Sequence, residues 1–195
     1  MTSPLDVGTG DEWLTLRPYA LADVADVTAP CQDREISRWT AVVPWPYEEA
    51  HAHSWIDSHE ALRQAQEAFP FAIVEGETGR FLGTIGVHRP GRPPGSADIG
   101  YWVAAWARNQ GVATRALELV TAWALEYFVL DRVQLATVVG NRASERVAEK
   151  AGYQFIEEVP DWVHPATGGR FQVKRWQYER PAVDPGEEPE LAGWR

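Results

Sequence analysis

The sequence predicts a mixed α/β domain built on a mostly antiparallel sheet that contains one parallel strand pair. Three observations carry that expectation. Two apolar runs are separated by Glu75-Gly-Glu-Thr-Gly79, a hairpin signal. A long helical pattern over 111–128 is bracketed by two strand patterns, a β-α-β unit whose strands lie parallel through a right-handed crossover. The remaining strand patterns stand close enough in sequence to pair antiparallel.

The elements follow in order. Residues 13–17 alternate as a first strand, ended by Pro18. A short helix is expected over 20–27 and a second helical piece over 32–39. Pro44-Trp-Pro46 breaks the chain before a helix over 47–66, with Ala50, Trp55, His59 and Leu62 on one side. Strands over 69–75 and 80–89 form the hairpin, and a Pro/Gly turn over 90–95 leads to an aromatic-rich strand over 97–104. Helix 111–128 shows Val112, Ala116, Val120 and Ala124 at helical spacing. A β-branched strand over 133–138 precedes a helix over 141–150, which Gly152 stops. Strands over 153–159 and 170–179 close the domain. Residues 1–12 are expected as a mobile N-terminus, 13–180 as a single domain, and 181–195 as an acidic Pro-rich tail.

Composition narrows the function. The chain has 195 residues and a formal net charge of −10, which argues against a general nucleic-acid binder. The charge is uneven. Between Trp106 and Gly152, Arg108, Arg115, Arg132, Arg142, Arg146 and Lys150 slightly outnumber Glu118, Glu126, Asp131, Glu145 and Glu149. Such an island on an acidic body suits an anionic cofactor in the island and a cationic substrate elsewhere. No apolar run approaches the ~20 residues of a bilayer span, so no membrane partner is expected. The opening residues have neither a basic nor an apolar signal region, and the single cysteine, Cys31, allows no internal disulfide. Both features favour the cytoplasm. His51, His53 and His59 lie at near-helical spacing without a carboxylate pattern, so no metal site is expected.

The most informative segment is Arg108-x-x-Gly111-x-Ala113 at the start of the long helix. Small residues at a helix N-terminus leave first-turn amides without an internal partner, which makes an anion seat. A Rossmann reading needs two further glycines, and a P-loop needs Gly-Lys-Ser/Thr; neither is present. Nothing matches a zinc helix or a Gly-x-Ser-x-Gly elbow.

Downstream stands Asn141-Arg-Ala-Ser144, followed by Lys150-Ala-Gly152-Tyr153. Paired with the Arg108 loop, this resembles the GNAT N-acetyltransferase superfamily. Leu14-Thr-Leu-Arg-Pro-Tyr, Trp45-Pro-Tyr47-Glu-Glu-Ala, Gly83-Thr-Ile-Gly86 and Ile99-Gly-Tyr-Trp-Val look like its RimJ/RimL-type branch. The resemblance implies the acyl-CoA N-acyltransferase fold, with a splayed parallel strand pair and flanking helices. It implies acetyl-CoA as co-substrate, no metal, and direct transfer to a primary amine in a ternary complex. The acceptor would be a protein N-terminus or a small cationic amine, and the protein a monomer or homodimer.

By that resemblance the pyrophosphate sits on Arg108, Asn109, Gln110, Gly111, Val112, Ala113 and Thr114, with Arg115 able to add charge. The pantetheine arm runs between strands 99–103 and 133–138, against the backbone of Trp102 and Val103. Asn141 reads as a helix N-cap, and the resemblance adds a contact to that arm. Many family members protonate the leaving thiolate with a Tyr at the position of Ala148; the RimJ/RimL-type branch places a Ser at Ser144, the expected acid here. Some relatives carry a Glu where this chain has Ala136, so Asp98 is the expected base, with Glu158 and Asp161 as alternatives. Tyr153 and Phe155 read as core aromatics. Trp39, Trp45 and Trp55 stand as core or acceptor-pocket residues. The departures at Ala148 and Ala136 leave two rival readings, a CoA-binding sensor without catalysis and an acyltransferase using another acyl-CoA.

Overall fold

A computed structural model describes residues 9, 10, 13–165 and 167–182. The expected segments 1–12 and 181–195 lie mostly outside them. Thr9–Gly10 forms a short strand, β1, on the sheet edge. The other strands are β2 (Leu14–Arg17), β3 (Ala68–Glu75), β4 (Phe81–His88), β5 (Ser96–Val103), β6 (Arg132–Val138), β7 (Gln154–Val163) and β8 (Arg170–Glu179). They form one sheet in the order β1-β2-β3-β4-β5-β6-β8-β7, antiparallel throughout except for the parallel pair β5–β6. The expected mixed α/β sheet with one parallel pair is therefore present.

Five α-helices flank the sheet: α1 (Val24–Thr28), α2 (Arg34–Trp39), α3 (Glu49–Gln64), α4 (Val112–Tyr127) and α5 (Arg142–Lys150). The first expected helix, over 20–27, is a 3-10 turn over Leu21–Asp23 followed by α1, and a further turn over Pro30–Gln32 leads toward the second. Asp23 accepts from the Ala20 amide and ion-pairs with Arg17, fixing this start. α3 opens two residues later than expected because Glu48 is extended and caps it, with His51 Nδ1 accepting from the Glu48 amide. β7 runs past Pro160 to Val163. An edge strand with register shifts tolerates a proline that donates nothing to the ladder.

Two apolar clusters hold the layers. On one face Val112, Ala116, Leu117, Val120, Ala124 and Leu125 of α4 pack on Leu14, Leu16, Phe71, Ile73, Ile85, Val87, Ile99, Val133 and Leu135. This stripe is the one the 3.6-residue spacing predicts. On the other face α1 and α3 cover Ala72, Val74 and Phe81 with Val24, Val27, Tyr47, Ala52 and Ile56. Trp55 belongs here, edge-on to Tyr19 and His59. Because alternate strand residues face opposite sides, Ile99 and Tyr101 look toward α4, and Gly100 and Trp102 toward the α1/α3 side.

His59 is 3% exposed, and neither ring nitrogen has a hydrogen-bond partner. Burial and nearby Arg63 lower its pKa from 6.5 to about 4. The folded protein thus holds this imidazole neutral, while the unfolded chain protonates it near pH 6.5. The resulting stability is complete above pH 6.5 and is lost as the pH falls toward 4. By pH 5 the loss from this residue is on the order of 1–2 kcal/mol. Thermal melts followed by circular dichroism should show Tm falling between pH 7.5 and 5, and His59→Phe should flatten that slope. An unchanged slope in the variant would show that His59 is not the source.

Candidate functional site

β5 and β6 pair over three registers only: Ser96 with Arg132, Ala97 with Val133, and Asp98 with Gln134. Beyond them, β5 stays bonded to β4 as far as Val103, while β6 stays bonded to β8 as far as Val138. The two strands therefore part, and residues 99–103 have no strand partner on the β6 side. Trp102 and Val103, the expected backbone contacts, lie on this unpaired stretch. An unpaired edge of N–H and C=O groups is a template for any extended ligand carrying amides.

α5 starts at the far end of β6. Asn141 caps it, its side-chain oxygen accepting from the Ser144 amide at 3.2 Å, as the expected N-cap role requires. That bond fixes Ser144 in the first turn. Tyr101 reaches it from β5, with the two hydroxyl oxygens 2.8 Å apart. Desolvation pushes the Tyr101 pKa up to about 12, with the Ser144 hydrogen bond opposing, so the phenol stays protonated at neutral pH. Sequence reasoning did not single out Tyr101. The usable signal was parity: alternation puts position 101 opposite Trp102, on the helix-covered face of the open strand. Ala148 is fully buried in the α4-side core. Ala148 leaves this position of α5 without a hydroxyl, and the hydroxyl beside Ser144 comes from Tyr101 on β5.

Next to Ser144, Glu145 is 5% exposed and ion-paired to Arg142 at 2.9 Å and Lys174 at 3.0 Å. Burial opposes its ionisation, but the two cations hold its carboxyl below the usual range. This ties α5 to β8.

The start of α4 follows the C-terminal end of β5, at the same open end of the parallel pair as the start of α5. Gly111 is its N-cap at φ +84°, and Asn109 is also left-handed at φ +59°. These two turns aim the helix start at the strand ends. The Arg115 amide is the first to pair within the turn, with the Gly111 carbonyl, so those of Val112, Ala113 and Thr114 have no intrahelical acceptor. No acidic residue stands in this first turn. Backbone amides and the helix dipole favour an anion there by roughly 0.3–1 kcal/mol per charge. Gln110 donates its side-chain amide to the Trp106 carbonyl. The Arg108 guanidinium lies 2.7 Å from Asp33, the residue that caps α2, and so ties this loop to the front helices. The Glu35 amide and Arg108 hold Asp33 below the usual carboxylate range.

Asp98 sits at the last paired register, hydrogen-bonded to the Arg89 guanidinium. Glu158 and Asp161 are exposed on the β7–β8 hairpin, bonded to Gln172 and Arg170. Ala136 faces the open side of β6. Trp39 comes within 4.0 Å of where a Cβ would stand at Gly140, beside the start of α5, whereas Trp45 is exposed and Trp55 is packed against Tyr19. Tyr153 is buried with its hydroxyl 2.6 Å from Thr121, and Phe155 packs edge-on against Trp176 while half exposed. The three histidines of the front section have separate partners: His51 caps α3, His53 pairs with Asp57, and His59 lies among aromatics. Among the described residues no helix is long and apolar enough to cross a membrane.

Comparison with known proteins agrees with this geometry. The model of the acetyltransferase (GNAT) domain family matches residues 14–154. YdaF of Bacillus subtilis, provisionally named a ribosomal N-acetyltransferase, is 35% identical over 80 residues. That match covers 41% of this chain and 43% of YdaF, less than half of either. Among solved structures, the microcin C7 self-immunity acetyltransferase MccE, in complex with acetyl-CoA and AMP, superposes with a TM-score of 0.76 at 17% identity. The superposition covers 87% of this chain and 94% of MccE. RimL, a ribosomal-protein α-N-acetyltransferase solved with coenzyme A, gives a TM-score of 0.74 at 15% identity, over 87% of this chain and 95% of RimL. These two likenesses establish the shared fold, and the family match over residues 14–154 establishes that the chain belongs to the GNAT acetyltransferase family.

Proposed function

We propose that the protein is an acetyl-CoA-dependent N-acetyltransferase that moves the acetyl group directly to a primary amine. The observation that carries this reading is the parting of β5 and β6 after Asp98 and Gln134, with the Tyr101–Ser144 hydroxyl pair on one side of the gap. The residues present fit the co-substrate. Amides of residues 112–114 suit its pyrophosphate, and the unpaired edge of 99–103, which includes Trp102 and Val103, suits the two amides of its pantetheine arm. In this reading Arg108, Asn109, Gln110 and Gly111 shape the phosphate loop, and Asn141 orients Ser144 while bordering the arm.

Transfer then needs a proton for the departing sulfur and an acceptor for the amine's proton. Ser144 supplies the first, and Tyr101, protonated and hydrogen-bonded to it, replenishes that proton. This hydroxyl pair favours catalysis over a silent CoA sensor, since a sensor needs no acid at the thiol. The amine acceptor is an N-terminal α-amine of a protein or a small cationic amine. YdaF and RimL bear the names of ribosomal-protein acetyltransferases, which supports the first, and the acidic body outside the phosphate island supports a cationic acceptor in either case.

Two outcomes test this. Calorimetry should show coenzyme A binding to the wild type, with Gly111→Glu weakening it at least about tenfold. The variant places a side chain at a left-handed residue and a negative charge at the phosphate seat. Equal binding by the variant would remove the phosphate assignment. In thiol-release assays across an amine panel, Ser144→Ala should lower kcat by about 100-fold and Tyr101→Phe by a smaller factor, both with unchanged coenzyme A affinity. Full turnover by Ser144→Ala would show that the acid lies elsewhere.

A further inference from the structure

The sheet face opposite Ser144 carries a second set of proton-active groups. His88 ends β4, directly across from Asp98 in the β4–β5 register, and the residue reaches solvent although chain packed around its ring desolvates it. Its Nε2 lies 3.3 Å from where a Cβ would stand at Gly86 and 3.5 Å from the same point at Gly100. These two glycines are cross-strand partners, so the imidazole leans over two positions without side chains, Gly86 buried and Gly100 exposed. Among the described residues a Cβ at Gly100 would meet only His88 within 4 Å, and Gly100 is exposed. The space beside it is therefore open except for the ring. Gly100 lies two residues past Asp98, on the stretch of β5 that has left β6.

Tyr101, the next residue, faces the other side and holds Ser144. A group lying in the gap at this level thus has a hydroxyl pair on the α5 side and an imidazole on the other. The Asp98 carboxylate is engaged by the Arg89 guanidinium, and it faces His88 as a negative charge.

We propose that His88 is the general base of the acetyl transfer and that the Gly86–Gly100 pair is the floor over which the acceptor amine approaches. The inference rests on the acetyltransferase reading above. An ammonium acceptor first sheds one proton to solvent. The neutral nitrogen bonds to the thioester carbonyl carbon and passes its surplus proton to His88 Nε2. The carbon–sulfur bond breaks with its electron pair on sulfur, which takes a proton from Ser144. His88 then releases its proton to water, and Ser144 regains one through Tyr101. The sum is amine plus thioester giving amide plus thiol.

The charged and titratable groups facing His88 are Asp98 from β5, Arg89 beyond the end of β4, and His164 from the β7–β8 turn. Desolvation by the surrounding chain, opposed by Asp98 and reinforced by His164 and Arg89, holds the imidazole below its ordinary pKa. It is therefore neutral, and able to accept a proton, at pH 7.

The test uses the full-length protein with acetyl-CoA and three probes: spermidine, a peptide with N-terminal serine, and a peptide with N-terminal alanine. In the wild type, log kcat/KM against pH should rise with a slope of about two while His88 loses its proton, then about one while only the amine titrates. His88→Gln should keep a slope of about one throughout and lower kcat/KM at pH 7 by about 100-fold, with acetyl-CoA affinity within twofold of the wild type. Gly100→Val, which fills the floor beneath the ring, should raise KM for the amine. A His88→Gln enzyme with undiminished turnover, or a weakened one that keeps the two-step profile, overturns the assignment alone. A wild type that binds acetyl-CoA but acetylates none of the probes overturns the acetyltransferase reading and this inference with it.

Discussion

The structure depends on one interruption of hydrogen bonding, the loss of the β5–β6 ladder after its third register. Each strand is anchored elsewhere: β5 to β4 as far as Val103, and β6 to β8 over its full seven residues. Sheet twist then carries the two halves apart, since neither can follow the other without breaking its own ladder. Backbone groups left without a strand partner must bond to water or to a ligand, so the gap suits a ligand that is itself extended and amide-bearing. The α4 start follows β5 with its outward amides and the α5 start follows β6 with Ser144, both at the open end of the parallel pair. A single crossover, β5-α4-β6, thus sets the gap and its anion seat together.

The side chains around the gap are held rather than loose. Asn141 caps α5 through the amide of Ser144 itself, so the cap and the candidate acid share one bond. Glu145, buried beside it, is neutralised by Arg142 and Lys174, and truncating Lys174 would leave a buried carboxylate with one exposed partner. Arg108 spends its charge on Asp33, joining the phosphate loop to the helices expected to line the acceptor side. Placing the hydroxyls on the face toward α4 and α5, and His88 on the opposite face, follows from the two-residue period of β5 and β4.

The elements and the glycine turn that opens α4 were legible in the sequence because they obey local rules. The α4 stripe shows a 3.6-residue spacing, the 75–79 hairpin shows its glycines, and Asn141 stands where an N-cap belongs. The reading was weaker where tertiary context decides. Pro160 suggests the end of a strand, yet β7 continues through it because an edge position makes no demand on the missing amide. The front helix is fragmented by Asp23 and Pro30, whose effects depend on Arg17 and on packing beneath Tyr47. The site pairs were not legible at all. Tyr101 with Ser144, Arg108 with Asp33, and His88 over Gly100 are set by strand register and crossover, not by spacing along the chain. The histidines that drew attention lay at helical spacing on α3, whereas His88 stood alone between a glycine-rich strand and a turn.

The central claim is that the β5–β6 gap holds the pantetheine arm with its thiol beside Ser144. A crystal structure with coenzyme A tests it most directly. The account predicts the pyrophosphate at the amides of residues 112–114, the arm bonded to the open edge of residues 99–103, and the sulfur within hydrogen-bond distance of Ser144 Oγ. Coenzyme A bound elsewhere, or in the gap with its sulfur far from both Ser144 and Gly100, would contradict it.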